Sequence, residues 1–148
     1  MWDVTKAVEY LNKHAHKKSL GRCAQYTRQA IEAGGIRLTH HTSAKDYGNS
    51  LVNAGFKEVS ENVVAFKPGD VVIIQPIPKH PHGHMAMFNG KFWVSDFLQQ
   101  HGFYPGQSYR KLHPTYTVYR HRSIDGAPST QIHSSFSDFN ELYLSLRA

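Results

Sequence analysis

Four consecutive β-branched residues, Val71-Val72-Ile73-Ile74, follow the turn Lys67-Pro68-Gly69-Asp70. An unbroken apolar run of this length has no polar face to offer water, so it predicts a strand buried on both sides at the centre of a sheet. Pro76, Pro78 and Pro81 then break the strand and stiffen the path to Gly83-His84. The next segments, His84 to Phe88 and Lys91 to Phe97, flank Asn89-Gly90 and predict a β-hairpin. Two registers are open. A two-residue turn pairs Phe88 with Lys91 and sends His84 and Asp96 to opposite faces of the sheet. A three-residue turn with Gly90 left-handed pairs Met87 with Lys91 and brings His84, Val94 and Asp96 to one face. The second is preferred, because it also gathers Ala86, Phe88, Phe92 and Val94 into an apolar floor for a helix. Residues 98–110 read as a glycine- and aromatic-rich loop, and 115–120 as a further strand.

Helices precede the sheet. Val4, Ala7, Val8 and Leu11 recur at helical spacing behind Asp3, a ready N-cap. A second helix runs from Cys23 to Ala33, buries Ala24, Thr27, Ala30 and Ile31, and stops at Gly34-Gly35. Ser43 is expected to cap a third, from Ala44 to Ala54, closed by Gly55. The order and the length of 148 residues predict a single α+β domain. Its body is expected over 1–122, with 123–148 a linker and a short helix carrying Phe139, Leu142, Tyr143 and Leu146, part of the same domain. Trp93, Phe97, Phe103, Tyr104 and Tyr109 read as core in preference to a glycan groove.

No stretch approaches the ~20 apolar residues that span a bilayer, and the N-terminus lacks the apolar core of a signal peptide. A monomer made in the cytoplasm is expected. The formal charge of +6 favours polyanionic partners, but the basic residues are scattered, with only Lys17-Lys18 and Arg120-His121-Arg122 dense. That pattern is not a nucleic-acid footprint. His80, His82 and His84 alternate and, with Cys23 or Asp96, form a candidate zinc set. Pro81 interrupts their geometry and no second ligand pair accompanies them, so no metal and no cofactor are expected.

Cys23 is the only cysteine. At a helix start, beside Arg22, its thiol faces the positive end of the helix dipole, a setting that lowers a thiol pKa. A thiol nucleophile needs a base and the base an orienting group, and His84 and Asp96 offer both on one hairpin. The Cys23 backbone N–H is available as an oxyanion donor. The competing reading makes Cys23 a small buried hydrophobe and Asp96 a turn cap.

Gly21-Arg22-Cys23 opening a helix, Lys67-Pro68-Gly69-Asp70 leading a strand, Gly83-His84-Met85-Ala86-Met87-Phe88 and Ser95-Asp96-Phe97 occur in an order that resembles the NlpC-type and CHAP cysteine amidases, over roughly 19–120. The resemblance implies a papain-like fold with helices packed on a central antiparallel sheet. It assigns Cys23 as nucleophile, His84 as general base and Asp96 as orienter. Arg22, His82 and Ser95 are expected on the substrate side, with Arg22 placed to meet a stem-peptide carboxylate. The resemblance also implies hydrolysis of an amide bond in bacterial peptidoglycan. The chain is similar in kind to peptidoglycan amidase effectors injected by type VI secretion, which act in the periplasm and are matched by a cognate immunity protein. A phage or bacteriocin lysin, or a non-catalytic wall-binding module, are the alternatives. No glutamine stands before Cys23 as the side-chain oxyanion donor of papain, so that role passes to backbone, tyrosine or serine groups that the sequence leaves unidentified.

Overall fold

A computed structural model of the chain describes residues 1–59 and 65–123. The expected C-terminal linker and helix lie outside the described residues. Helix α1 (Val4–His14) is followed by α2 (Cys23–Ala33), a 3-10 turn (Ala44–Asp46) and α3 (Gly48–Asn53). The strands are β1 (Phe56–Glu58), β2 (Val71–Ile74), β3 (His84–Phe88), β4 (Trp93–Val94), β5 (Leu98–Gln99) and β6 (Tyr116–His121), with α4 (Gln107–Leu112) before β6. They form one antiparallel sheet in the order β1-β6-β2-β3-β4-β5. The α+β architecture, helices packed on a central antiparallel sheet, is as expected.

The unbroken apolar run became the central strand, with all four residues of β2 buried. On one face Val71, Ile73, Met85, Met87 and Val94 meet Ala7, Val8, Leu11, Ala30 and Ile31 of the first two helices. Asp3 caps α1 by accepting the Lys6 N–H at 3.1 Å. Gly34 is required where α2 ends, since a Cβ there would lie 2.7 Å from the Trp2 ring and 2.8 Å from the Asp3 carbonyl oxygen. The other face, Val72, Ile74, Ala86, Trp93 and Val118, is covered by an aromatic layer. Phe66 and Phe103 pack edge-on against Trp93 at 5.0 and 6.0 Å between centroids, and Tyr104 and Tyr109 extend the layer into α4. Four of the five aromatics read as core are therefore packing residues, and three of them, Phe103, Tyr104 and Tyr109, lie in the segment expected to be loop alone.

Two expectations are corrected. The third helix is shorter, because its first turn is drawn out of line. Lys45 N–H donates to the His82 carbonyl, and the Ser43 hydroxyl bonds His82 Nδ1 instead of capping. The hairpin has neither weighed register: Met87 pairs with Val94 and Phe88 with Trp93, leaving a four-residue loop. Asn89 is the cause. Its Oδ1 accepts the N–H groups of Lys91 and Phe92 at 2.9 and 2.7 Å, and its Nδ2 donates to Asn12 on α1. A side chain thus substitutes for the backbone turn and widens it. Val94 consequently joins Met85 and Met87 against the helices, while Ala86 and Phe88 lie on the opposite side.

At one end of the three middle strands Asp70 and Arg120 form a buried bidentate pair, Nε to Oδ1 and Nη2 to Oδ2, both at 2.8 Å. His84 stands at the other end, opposite Ile74. Among the described residues no helix is long and apolar enough to cross a membrane.

Candidate active site

Cys23 is the first residue of α2, and the chain that leads to it is tied to the turn between β4 and β5. That turn, Ser95-Asp96-Phe97, closes because β4 is only two residues long before Val94 pairs with Leu98. The fully buried Asp96 carboxylate accepts the Leu20 and Arg22 N–H groups through Oδ2, at 2.7 and 2.9 Å. Its backbone carbonyl accepts the His16 N–H at 2.8 Å. Asp96 thus fixes the approach to Cys23, and Gly21, at φ +73°, makes the bend between its two bonds.

His84 opens β3 behind Gly83, whose φ is +71° and where a Cβ would lie 2.4 Å from the Ile74 carbonyl oxygen. Only glycine lets the chain turn that tightly onto β2. The His84 Nε2 bonds Gln99 Oε1 at 2.7 Å. The expected His84–Asp96 hydrogen bond is therefore replaced by one to Gln99, for Asp96 sits at a turn tip and spends its oxygens on the Cys23 loop. Gln99 Nε2 donates to the carbonyls of Gly102 and Phe103 at 3.0 and 2.8 Å. Both amide hydrogens are engaged, so the amide oxygen must face the ring, and the imidazole carries its proton on Nε2. Nδ1 then holds the lone pair, the tautomer a base requires.

Burial dominates the electrostatics. It pushes the Cys23 thiol up to about 11, against the N–H groups of Met85, Ala24 and Cys23 itself, with the Asp96 charge adding to the rise. The expected lowering at the helix start is overturned, because desolvation of the thiolate outweighs the dipole and Arg22 is exposed. Burial likewise lowers His84 to about 4, against the Gln99 hydrogen bond and the Asp96 charge. At neutral pH the resting groups are thus a thiol and a neutral imidazole. No hydrogen bond joins the sulfur to His84. They are brought together as walls of one cavity of about 380 Å³ that also includes His80, Phe97 and Tyr109.

Cys23, Gly21 and His82 also line a second cleft, of about 810 Å³, with Arg22, Arg28, His40 and His41. Cys23 therefore lines two clefts, the larger with Arg22 and Arg28 and the smaller with Lys79, His80, Phe97 and Tyr109. Arg22, on the larger cleft, and His82, on both, are exposed. Ser95 is not: it is fully buried, its Oγ 3.3 Å from Asp96 Oδ1, and lines neither cleft. Among the described residues no cluster of three or more His, Cys, Asp or Glu could hold a metal ion. Sequence reasoning missed Gln99, an uncharged residue in a segment expected to be loop, and read Tyr109 as core, where the structure packs it at the cavity wall.

A cysteine at a helix start and a histidine of fixed tautomer thus line one cavity of an α+β domain. Its relatives are type VI effectors. The crystal structure of the native type VI effector–immunity complex Tae3–Tai3 from Ralstonia pickettii contains a chain 50% identical to this one, with a TM-score of 0.76, over 81% of this chain and 99% of that one. The selenomethionine form of the complex matches at 52% identity and a TM-score of 0.73, over 77% and 98%. No family model and no curated protein matches the sequence. With half of the aligned residues identical over 81% of this chain and nearly the whole of that one, the protein belongs to the Tae3 family of type VI secretion effectors.

Proposed function

We propose that the chain is a cysteine amidase that hydrolyses an amide bond of bacterial peptidoglycan. It is delivered by type VI secretion to act on the wall of a target cell and is held in check by a cognate immunity protein of the Tai3 kind. One observation carries the catalytic reading: the Gln99-fixed tautomer of His84 offers a lone pair on Nδ1 in the cavity that Cys23 enters from its helix start. The likeness to an effector–immunity complex favours an effector over a free lysin. The NlpC and CHAP resemblance of the motifs supports the same chemistry.

In the first half-reaction His84 Nδ1 takes the thiol proton as Sγ attacks the carbonyl carbon. The C–N bond then breaks, and the amine departs with the proton from His84. Water attacks the thioester with Nδ1 again as base, releasing the carboxylate and restoring the thiol. Because both groups rest neutral, proton transfer accompanies attack, and no preformed thiolate–imidazolium pair is needed. The activity plateau of the free enzyme is then bounded by His84 near 4 and Cys23 near 11. Arg22, with Arg28, His40 and His41, gives the larger cleft a basic wall suited to peptide carboxylates.

Digestion of purified sacculi, read by mass spectrometry, tests this reading and names the severed linkage. Wild type should release soluble fragments, and Cys23→Ala should lower the rate by at least ~10³-fold with the fold intact. Sacculi left uncut by wild type, or cut equally by the variant, overturn it.

A further inference from the structure

Tyr109 has no place in the mechanism so far, and its chemistry is unusual for its surroundings. It sits on α4, across the sheet from the helix that carries Cys23, and is only 4% exposed. Its ring lies 5.4 Å from that of His80 and 6.1 Å from that of His84, and it lines the same cavity as Cys23. Buried tyrosine hydroxyls usually find a hydrogen-bond partner. Tyr104, its neighbour in the aromatic layer, does so by donating to the Pro114 carbonyl at 2.7 Å. The Tyr109 hydroxyl has no such bond, and it is not sealed in the core, where Trp2 Nε1 is the unpartnered buried polar side-chain atom among the described residues. It opens into the cavity as a donor without an acceptor.

We propose that the Tyr109 hydroxyl is the side-chain donor of the oxyanion hole, acting with the Cys23 backbone N–H on the carbonyl oxygen of the scissile bond. This inference rests on the reading of Cys23 as an acylated nucleophile, and it supplies the group that papain draws from glutamine. As the Sγ–C bond forms, the carbonyl π electrons move to oxygen, and the phenol donates a hydrogen bond to that oxyanion without giving up its proton. When the C–N bond or, after water has added to the thioester, the C–Sγ bond breaks, the carbonyl reforms and the hydrogen bond weakens. A donor must stay protonated. Burial and the nearby Cys23 push the phenol up to about 12, so it is a donor throughout the working range. An oxyanion gains more from one such bond than a neutral carbonyl does, which is the differential binding that lowers a barrier.

The test separates a donor to the oxyanion from a group that only shapes the site. Tyr109→Phe keeps the ring and removes the hydroxyl. It should lower kcat on peptidoglycan fragments by ~10²-fold while KM stays within about threefold. Acylation of Cys23 by p-nitrophenyl acetate, which passes through an oxyanion, should slow in the same proportion. Alkylation by iodoacetamide, which does not, should be unchanged. Site-specific fluorotyrosine at 109 gives a second variant with the shape retained: its more acidic phenol should bring an alkaline loss of acylation down into the measurable range. Equal slowing of acylation and alkylation, a change in KM alone, or no change in either rate overturns the proposal. The ester and alkylation rates need no peptidoglycan, so a wild type inactive on sacculi sinks the wall-hydrolase reading while leaving this one to stand or fall on its own.

Discussion

The two ends of the β6-β2-β3 ribbon hold buried ionisable groups in opposite states. At the Val71 end, Asp70 and Arg120 are both charged and locked by two parallel hydrogen bonds of 2.8 Å. At the Ile74 end, Cys23 and His84 are both neutral, held at about 11 and about 4. Asp70, Arg120 and His84 are buried and Cys23 is partly so, but what separates the two ends is the partner. A guanidinium fork repays the desolvation of a carboxylate directly, whereas His84 meets an uncharged amide and Cys23 a few backbone N–H groups. The charged end holds strands together, and the neutral end keeps a proton free to move.

Breaking the charged end should give the largest effect. Arg120→Met leaves Asp70 buried without its fork, and removing one member of a buried pair costs ~3–5 kcal/mol. The urea midpoint should fall accordingly. Asp70→Asn added to Arg120→Met removes the second charge and retains an acceptor for the Lys67 N–H, now 2.9 Å from Oδ2. That double variant should recover more than half of the loss. A midpoint unmoved by the single change would mean the pair contributes nothing at this end.

Gln99→Glu makes the neutral end resemble the charged one. A carboxylate at Nε2 favours the imidazolium, so the His84 pKa rises from about 4 by ~1–3 units. Since the base must be neutral to accept the thiol proton, the acid limb of kcat/KM moves up in pH by the same amount. Activity at pH 5 should fall far more than activity at pH 8. The carbonyls of Gly102 and Phe103 lose their donors as well, so some loss at all pH values accompanies the shift. An acid limb that stays in place would show that Gln99 does not govern His84.

How much of this was legible in the chain follows from how local each determinant is. The buried faces of α1 and α2, the central strand and the positions of Cys23 and His84 follow from periodicity, caps and an unbroken apolar run, all readable within a dozen residues. The hairpin register was not, because the Asn89 side chain, anchored on Asn12 in a distant helix, replaces the turn that Asn89-Gly90 suggests. Gln99 was hidden for a related reason: β4 reverses after two residues, which carries Asp96 off the strand and brings a neutral amide to the imidazole. The direction of the thiol shift depends on burial by the sheet, which no feature of residues 19–35 reports.

Asp96 separates the two ways a carboxylate can serve such a site. If it oriented His84 by direct contact, Asp96→Asn would cost up to ~10⁴-fold in kcat, as loss of the orienting charge does in triads. Here it instead accepts the Leu20 and Arg22 N–H groups, and an asparagine oxygen can do the same. What changes is the field. Asp96 raises both Cys23 and His84, so its neutralisation should lower both, extending the acid limb to lower pH and bringing the alkaline limb down. For both groups burial is the larger influence, and the shifts should stay under ~1 unit. Iodoacetamide should therefore alkylate the variant a few-fold faster at pH 8, with kcat within about tenfold of wild type. Asp96→Ala, which removes the acceptor as well as the charge, should be the more damaging change, because it frees the loop that aims the sulfur. A collapse of kcat in Asp96→Asn equal to that in Asp96→Ala would put the carboxylate back behind the imidazole and Gln99 out of the role given to it here.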